Sequence, residues 1–139
     1  MSVVRFHLNS SLGPSDALAV LTDFGPSRAE NWPTIDAVTV HAIGDTWAEV
    51  TEGTTSAWER ARYEWDAERG RVTVTTHESK VFGPGGGWVF QLTPEGDGTR
   101  IDVELTREPS TFKGKVLAGL LPVAASSLRK SYRQPLKAK

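Results

Sequence analysis

Three kinds of residue in this 139-residue chain could hold or transform another molecule: histidines, a charged run on one segment, and tryptophans. His7, His41 and His77 are scattered, with no pair at the i, i+4 spacing of a helical zinc site and no His-Glu-x-x-His run. Each reads as a surface strand residue, and His77, beside Glu78 and Ser79, is the one placed to shuttle a proton. No metal and no cofactor is expected. Arg60, Arg62, Glu64 and Asp66 alternate along one segment. A guanidinium in an apolar cavity would hold a carboxylate or phenolate by two parallel charge-assisted hydrogen bonds. The plainer reading is a solvated sheet face with cross-strand charge pairs. Glu49 and Glu52 are open in the same way. If Trp47 points inward, Glu49 follows it, and a buried carboxylate must find a partner or raise its pKa.

Five tryptophans, Trp32, Trp47, Trp58, Trp65 and Trp88, are a large allotment for a chain of this length. Each offers a flat apolar surface and one hydrogen-bond donor, which suits the stacking and orienting of a ring system. Ordinary core packing is the competing explanation for any single one. Gly83-Pro84-Gly85-Gly86-Gly87 is no phosphate loop, because neither a Lys-Ser/Thr pair nor a helix follows it. It reads as a flexible loop at a cavity mouth, or as a connector.

The elements that must position these residues follow from periodicity. Val3 to Leu8 alternates apolar and polar side chains, as a half-buried strand does. Gly13-Pro14-Ser15-Asp16 starts a helix carrying Ala17, Val20, Leu21 and Phe24 on one face, and Gly25-Pro26 stops it. Ser27 with Glu30 suggests a capping box for a single turn that reaches Trp32 before Pro33. From Asp36 to Arg107 come hairpins in succession, turning at Ile43 to Thr46, Asp66 to Gly70 and Pro94 to Gly98. Trp88, Phe90 and Leu92 share an inner face with Ile101, Val103 and Leu105; Gln91, Asp102, Glu104 and Thr106 face water. Pairing Trp65 with Val72 puts Tyr63, Trp65, Val72 and Val74 together, opposite Arg60, Arg62, Glu64, Thr75 and His77. After Pro109, Phe112, Val116, Leu120, Ala124, Leu128, Tyr132 and Leu136, joined by Leu117 and Leu121, predict a long amphipathic helix. Pro122 would cost about 3 kcal/mol in an unbroken helix, so a kink or break is expected between Gly119 and Pro122.

This order of strand, two short helices, six-strand meander and C-terminal helix resembles the SRPBCC helix-grip superfamily. That group includes START lipid-transfer domains, the birch-pollen allergen (Bet v 1-like) fold and bacterial polyketide cyclase/dehydrase-like proteins. The resemblance covers nearly the whole chain. It is carried by Trp58-Glu59-Arg60 running into Arg62-Tyr63-Glu64-Trp65-Asp66, by Trp88-Val89-Phe90-Gln91-Leu92 and by Gly96-Asp97-Gly98-Thr99-Arg100. It implies one α+β domain over residues 1–139, with a seven-stranded curved antiparallel sheet wrapped around a long C-terminal helix. It also implies a space between sheet and helix for a lipid, quinone or polyketide-like ligand. With the inner face read above, Tyr63, Trp65, Trp88, Phe90, Leu92 and Val103 would line that space from the sheet. Leu117, Leu121, Ala124 and Leu128 would line it from the helix. None of the matching pieces is a catalytic signature, and fold does not imply function.

Composition limits the alternatives. There is no cysteine, which excludes disulfides, thiolate metal sites and cysteine nucleophiles, and a reducing, cytoplasmic setting fits. No stretch approaches the ~20 apolar residues of a membrane span. With a net charge of −1 and no aromatic-basic patch, nucleic acid is not expected as a partner. From Ser110 onward every charge is positive: Lys113, Lys115, Arg129, Lys130, Arg133, Lys137 and Lys139. That tail is either a solvated face suited to a helix C-terminus or a weak contact for an anionic membrane. The leading expectation is noncatalytic binding or transport of a hydrophobic or aromatic molecule, by a monomer or homodimer. An aromatase/cyclase or dehydratase would instead require His77, Tyr63, Arg62 or a glutamate to meet inside the cavity. A module at a membrane surface is the third reading.

Overall fold

Proline and glycine set the ends of the short helices. In the computed structural model, which describes residues 2–80, 82–109 and 125–138, strand β1 (Ser2–Ser10) leads to helix α1 (Pro14–Leu21). Pro14 occupies the first helical turn, where no amide hydrogen is needed. Helix α2 (Ser27–Asn31) is a single turn, and Trp32, preceding Pro33, is already extended at φ −97°, ψ 113°. Neither helix has a side-chain cap. The expected Ser27–Glu30 capping box is absent because Pro26 holds the capping position with helical angles, which places Ser27 inside the helix. Its hydroxyl donates instead to Asp23 Oδ2 at 2.6 Å.

Six strands then follow as hairpins: β2 (Ala37–Ile43), β3 (Trp47–Gly53), β4 (Trp58–Asp66), β5 (Arg71–Ser79), β6 (Phe82–Glu95) and β7 (Gly98–Pro109). All pairs are antiparallel, and β1 closes onto β7, giving the order β1-β7-β6-β5-β4-β3-β2. The architecture is α+β, with a seven-stranded antiparallel sheet. Trp65 opposes Val72 and Tyr63 opposes Val74, the register that the alternation predicts. Ile101, Val103 and Leu105 are buried, while Asp102, Glu104 and Thr106 on the same strand are half-exposed. Three register shifts bend the sheet, since an extra residue in one strand increases local twist. They fall at Val40/Ala42, at Arg60/Ala61 and at Gly83/Gly87.

The glycine run is therefore not a loop. Gly83 to Gly87 lies within β6 as a bulge against β7, because its lack of side chains lets neighbouring backbones approach. A Cβ on Gly86 would lie 2.4 Å from the Thr106 carbonyl oxygen, and one on Gly87 would lie 1.8 Å from that of Val74.

Helix α3 (Ala125–Arg133) packs near β1, and Arg129 Nε donates to the His7 carbonyl at 3.0 Å. Its end comes one turn before the expected Leu136. Pro135 disfavours helical angles at Gln134, and Leu136 is buried from a turn instead. The chain then bridges back to β1: Ser11 N donates to Lys137 O at 3.0 Å, and Ser10 Oγ donates to the Leu136 carbonyl. The helical run expected from Phe112, including the Pro122 kink, lies outside the described residues up to residue 124.

The bulge makes a stability prediction. Gly87→Ala should cost about 1–3 kcal/mol in urea unfolding, as overpacking does. Gly13→Ala, with nothing within 4 Å of the new Cβ, should stay within about 1 kcal/mol of the parent.

Candidate functional site

Alternation along the strands sends one side chain in two toward α1, α2 and α3, and those side chains do not fill the space. A cavity of about 280 Å³ remains. Its aromatic wall begins with Trp88 and Phe90, two residues apart on β6, whose rings stack at 6.1 Å and 8°. From α3, Tyr132 meets Trp88 edge-on at 5.7 Å, Trp32 edge-on at 5.2 Å and Phe90 at 6.1 Å. Leu128, one helical turn earlier, lines the same space, as do Leu21, Ile35 and Trp58.

Two ion pairs, Arg28–Glu52 buried and Arg107–Glu59 part-buried, form the polar floor. Glu52 on β3 and Glu59 on β4 oppose each other directly in the sheet, and both line the cavity. Like charges in that position repel. Each is matched by an arginine from a different element. Arg28 of α2 donates through Nε to Glu52 Oε2 at 2.6 Å and through Nη2 to the Tyr63 hydroxyl at 2.9 Å and to Glu52 Oε1 at 3.5 Å. Its Nη1 donates to the carbonyls of Leu21 and Asp23, at 3.2 and 3.0 Å. Phe24, Tyr63 and Trp32 surround the guanidinium, with ring centroids at 4.7, 5.3 and 5.6 Å. Arg28 thus clasps the end of α1 to the sheet. The second pair is Arg107 on β7, whose Nη1 donates to Glu59 Oε2 at 2.7 Å and to Thr76 Oγ1 at 3.0 Å. Thr76 in turn donates to Glu59 Oε2 at 3.1 Å.

Burial pushes the Tyr63 phenol well above its ordinary value of 10.0, and the charge of Glu52, which accepts its proton in a hydrogen bond, adds to the shift. Burial likewise pushes Tyr132 up. For Arg28 burial works against the charge, but Tyr63 and Glu52 outweigh it and raise the pKa. Both phenols are therefore neutral at neutral pH, beside the two arginine–glutamate pairs of the floor. Such a set can orient a polar group on a ligand and pass a proton over a short distance.

Of the residues expected to face a ligand, Tyr63, Trp88, Phe90 and Leu128 line the cavity. Leu92 and Val103 are buried in the core away from the lining, and Trp65 is half-buried against Phe24, ring centroids 6.3 Å apart. Leu117, Leu121 and Ala124 lie outside the described residues. Arg62 is on the opposite face, over the Trp47 ring at 4.6 Å and bonded to Glu49 at 3.2 Å. Arg60 and His77 are exposed there as well. His7 and His41 are also exposed, His41 lying 2.7 Å from Thr51 Oγ1. Among the described residues no group of three metal-ligating side chains occurs, and no helix is long and apolar enough to cross a membrane.

Sequence reasoning passed over Arg28, Glu59 and Arg107. For two of them the signal was present: extending the alternation of Tyr63 back through Ala61 reaches Glu59, and that of Ile101, Val103 and Leu105 reaches Arg107. Arg28 gave none, since a five-residue helix is too short to define a face.

Two measurements test this floor. Arg28→Met should destabilise by about 3–5 kcal/mol because it strands a buried Glu52, and adding Glu52→Gln should recover part of the loss. The protein has two tyrosines, and the fold holds both as neutral phenols. Their contribution to stability is complete below pH 10 and is lost as pH rises through their raised folded values. An ultraviolet titration should show no tyrosinate near pH 10, with both phenolates appearing together on alkaline unfolding. Ordinary ionisation of either near pH 10 in folded protein would contradict the burial.

No protein-family model matches the chain, and no curated protein sequence does. Solved structures do match. A START superfamily protein from Mycobacterium smegmatis aligns over 99% of this chain and 98% of its own, with a TM-score of 0.80 at 14% identity. The ZhuI aromatase/cyclase from Streptomyces sp. R1128 aligns over 97% and 84%, with a TM-score of 0.66 at 14% identity. Ara h 8.0201 aligns over 97% and 92%, with a TM-score of 0.62 at 11% identity. Likeness at such identities carries shape alone. A seven-stranded antiparallel sheet with two short helices after its first strand, a further helix on the cavity side and these neighbours together give this chain the SRPBCC fold, the START and Bet v 1-like architecture.

Proposed function

We propose that this chain binds or carries a hydrophobic, aromatic small molecule in the cavity between the sheet and α3. The observation that supports it is the aromatic wall of Trp32, Trp88, Phe90 and Tyr132 around open space. Stacking surfaces with a few polar groups at one side are what a ligand pocket needs. At about 280 Å³ the space is at the lower edge of the ~300–1,000 Å³ usual for ligand sites, which favours a compact ring system over an extended lipid.

A second reading, an aromatase/cyclase or dehydratase type of enzyme, is favoured by one specific feature. Glu52, Glu59, Tyr63 and Tyr132 share a single cavity, so carboxylates and phenols stand where a bound chain would fold. Release of a cyclised product from a poly-β-carbonyl thioester would support it, and unchanged thioester after long incubation would remove it.

Native mass spectrometry of freshly purified protein and thermal shifts with bicyclic aromatics and quinones test the binding reading. A ligand at one hundred times its Kd should add about 2.7 kcal/mol of stability and several degrees of Tm. Ser131→Phe, which places a ring in the cavity from α3, should fold and abolish the shift. Equal shifts in parent and variant would place binding elsewhere.

A further inference from the structure

The hydrogen bonds on the cavity floor are unevenly used, and the unevenness says what the ligand carries. Every N–H of Arg28 is engaged: Nε and Nη2 with Glu52 and Tyr63, Nη1 with two backbone carbonyls. Glu52 is engaged at both oxygens, Oε2 by Arg28 and Oε1 by Arg28 and the Tyr63 hydroxyl. Arg28 thus has no N–H left for a visitor, and both oxygens of Glu52 are already engaged. Glu59 differs. Its Oε2 accepts from both Arg107 and Thr76, whereas Oε1 receives no hydrogen bond among the described residues. No fully enclosed side-chain nitrogen or oxygen among them lacks a partner, so Glu59 Oε1 keeps accessible surface on a residue that lines the cavity. The same holds for the Tyr132 hydroxyl, which forms no hydrogen bond there although its ring is packed on four sides by Phe6, Trp32, Trp88 and Phe90.

A carboxylate oxygen accepts only. The Arg107 guanidinium at 2.7 Å already balances its charge, so a second cation gains little there. An anionic ligand such as a carboxylate has no proton to offer an oxygen that can only accept, so it gains no hydrogen bond at Glu59 Oε1. We infer that the ligand is an uncharged hydroxylated aromatic whose O–H donates to Glu59 Oε1, its ring against Trp88 and Phe90, with the Tyr132 hydroxyl as a second polar contact. This rests on the binding cavity proposed above and narrows what it takes. Glu59 is a positioning and specificity residue, and Arg28 with Glu52 is framework.

Fluorescence titration of the intact protein with 2-naphthol, 2-methoxynaphthalene, 2-naphthoate and 2-naphthylmethylammonium tests it, because the four share one ring system. Charge-assisted hydrogen bonding predicts that 2-naphthol binds about tenfold or more tightly than its methyl ether. In Glu59→Gln, which keeps the shape and removes the charge, that ratio should fall severalfold while the affinity for 2-methoxynaphthalene is retained. Should the variant fail to fold, the four affinities of the parent protein still decide. Equal binding of naphthol and ether, or a preference for the naphthoate or the ammonium, overturns the inference while leaving an aromatic cavity in place. If none of the four binds, the cavity reading fails together with it.

Discussion

Placing two arginine–glutamate pairs, one buried and one part-buried, beside an open apolar space is the constraint around which the rest of this structure is arranged. Moving such charges out of water costs several kcal/mol per ion unless geometry and further hydrogen bonds repay it. The chain meets that demand at Arg28 with five engaged N–H groups and three flanking rings. The result is directional. Because Arg28 binds the carbonyls of Leu21 and Asp23 as well as Glu52, it fixes the α1–α2 segment over one side of the cavity. At the other side Arg107 and Thr76 fix Glu59 while leaving one of its oxygens open. A filled hydrophobic floor could hold the same sheet with less desolvation, so under the binding proposal the pair Arg28–Glu52 serves as framework and the half-open Glu59 serves the ligand.

The cavity depends equally on curvature. Bulges at Val40/Ala42, Arg60/Ala61 and Gly83/Gly87 bend strands that would otherwise lie flatter and let inner side chains close together. Gly86 and Gly87 let β6 approach β7 and β5 closely, near where Arg107 enters the floor. Through α3, Tyr132 connects the aromatic wall to the C-terminal turn, which is itself bridged to β1 at Ser10. Wall, floor and terminus are thus one packed unit.

Much of this was legible from residue order. Period-two alternation gave the strands and the inward facing of Tyr63, Val72, Val74, Trp88, Phe90, Ile101 and Val103, because in an antiparallel sheet one face must be apolar. Prolines placed the helix boundaries at Pro14 and Pro33. Three things were hidden, each for a physical reason. Glycines usually signal a turn, but here they mark the close approach of backbones within a strand. The facing of β3 was undecided between Glu49 and Glu52: Trp47 packs under Arg62 on the outer face, so Glu52 rather than Glu49 turns inward. The guanidinium inside the protein came not from the conspicuous Arg60–Arg62 run but from a one-turn helix with no periodicity. Apolar alternation identifies a core and does not say which polar residues interrupt it for a purpose.

The central claim is that an aromatic molecule occupies the space between β6 and α3. Intermolecular nuclear Overhauser effects between bound 2-naphthol and the protein measure this directly. The account predicts contacts to ring protons of Trp88, Phe90 and Tyr132 and to the Leu128 methyls. Contacts confined to outer-face residues such as Val89 or Trp47 would contradict it.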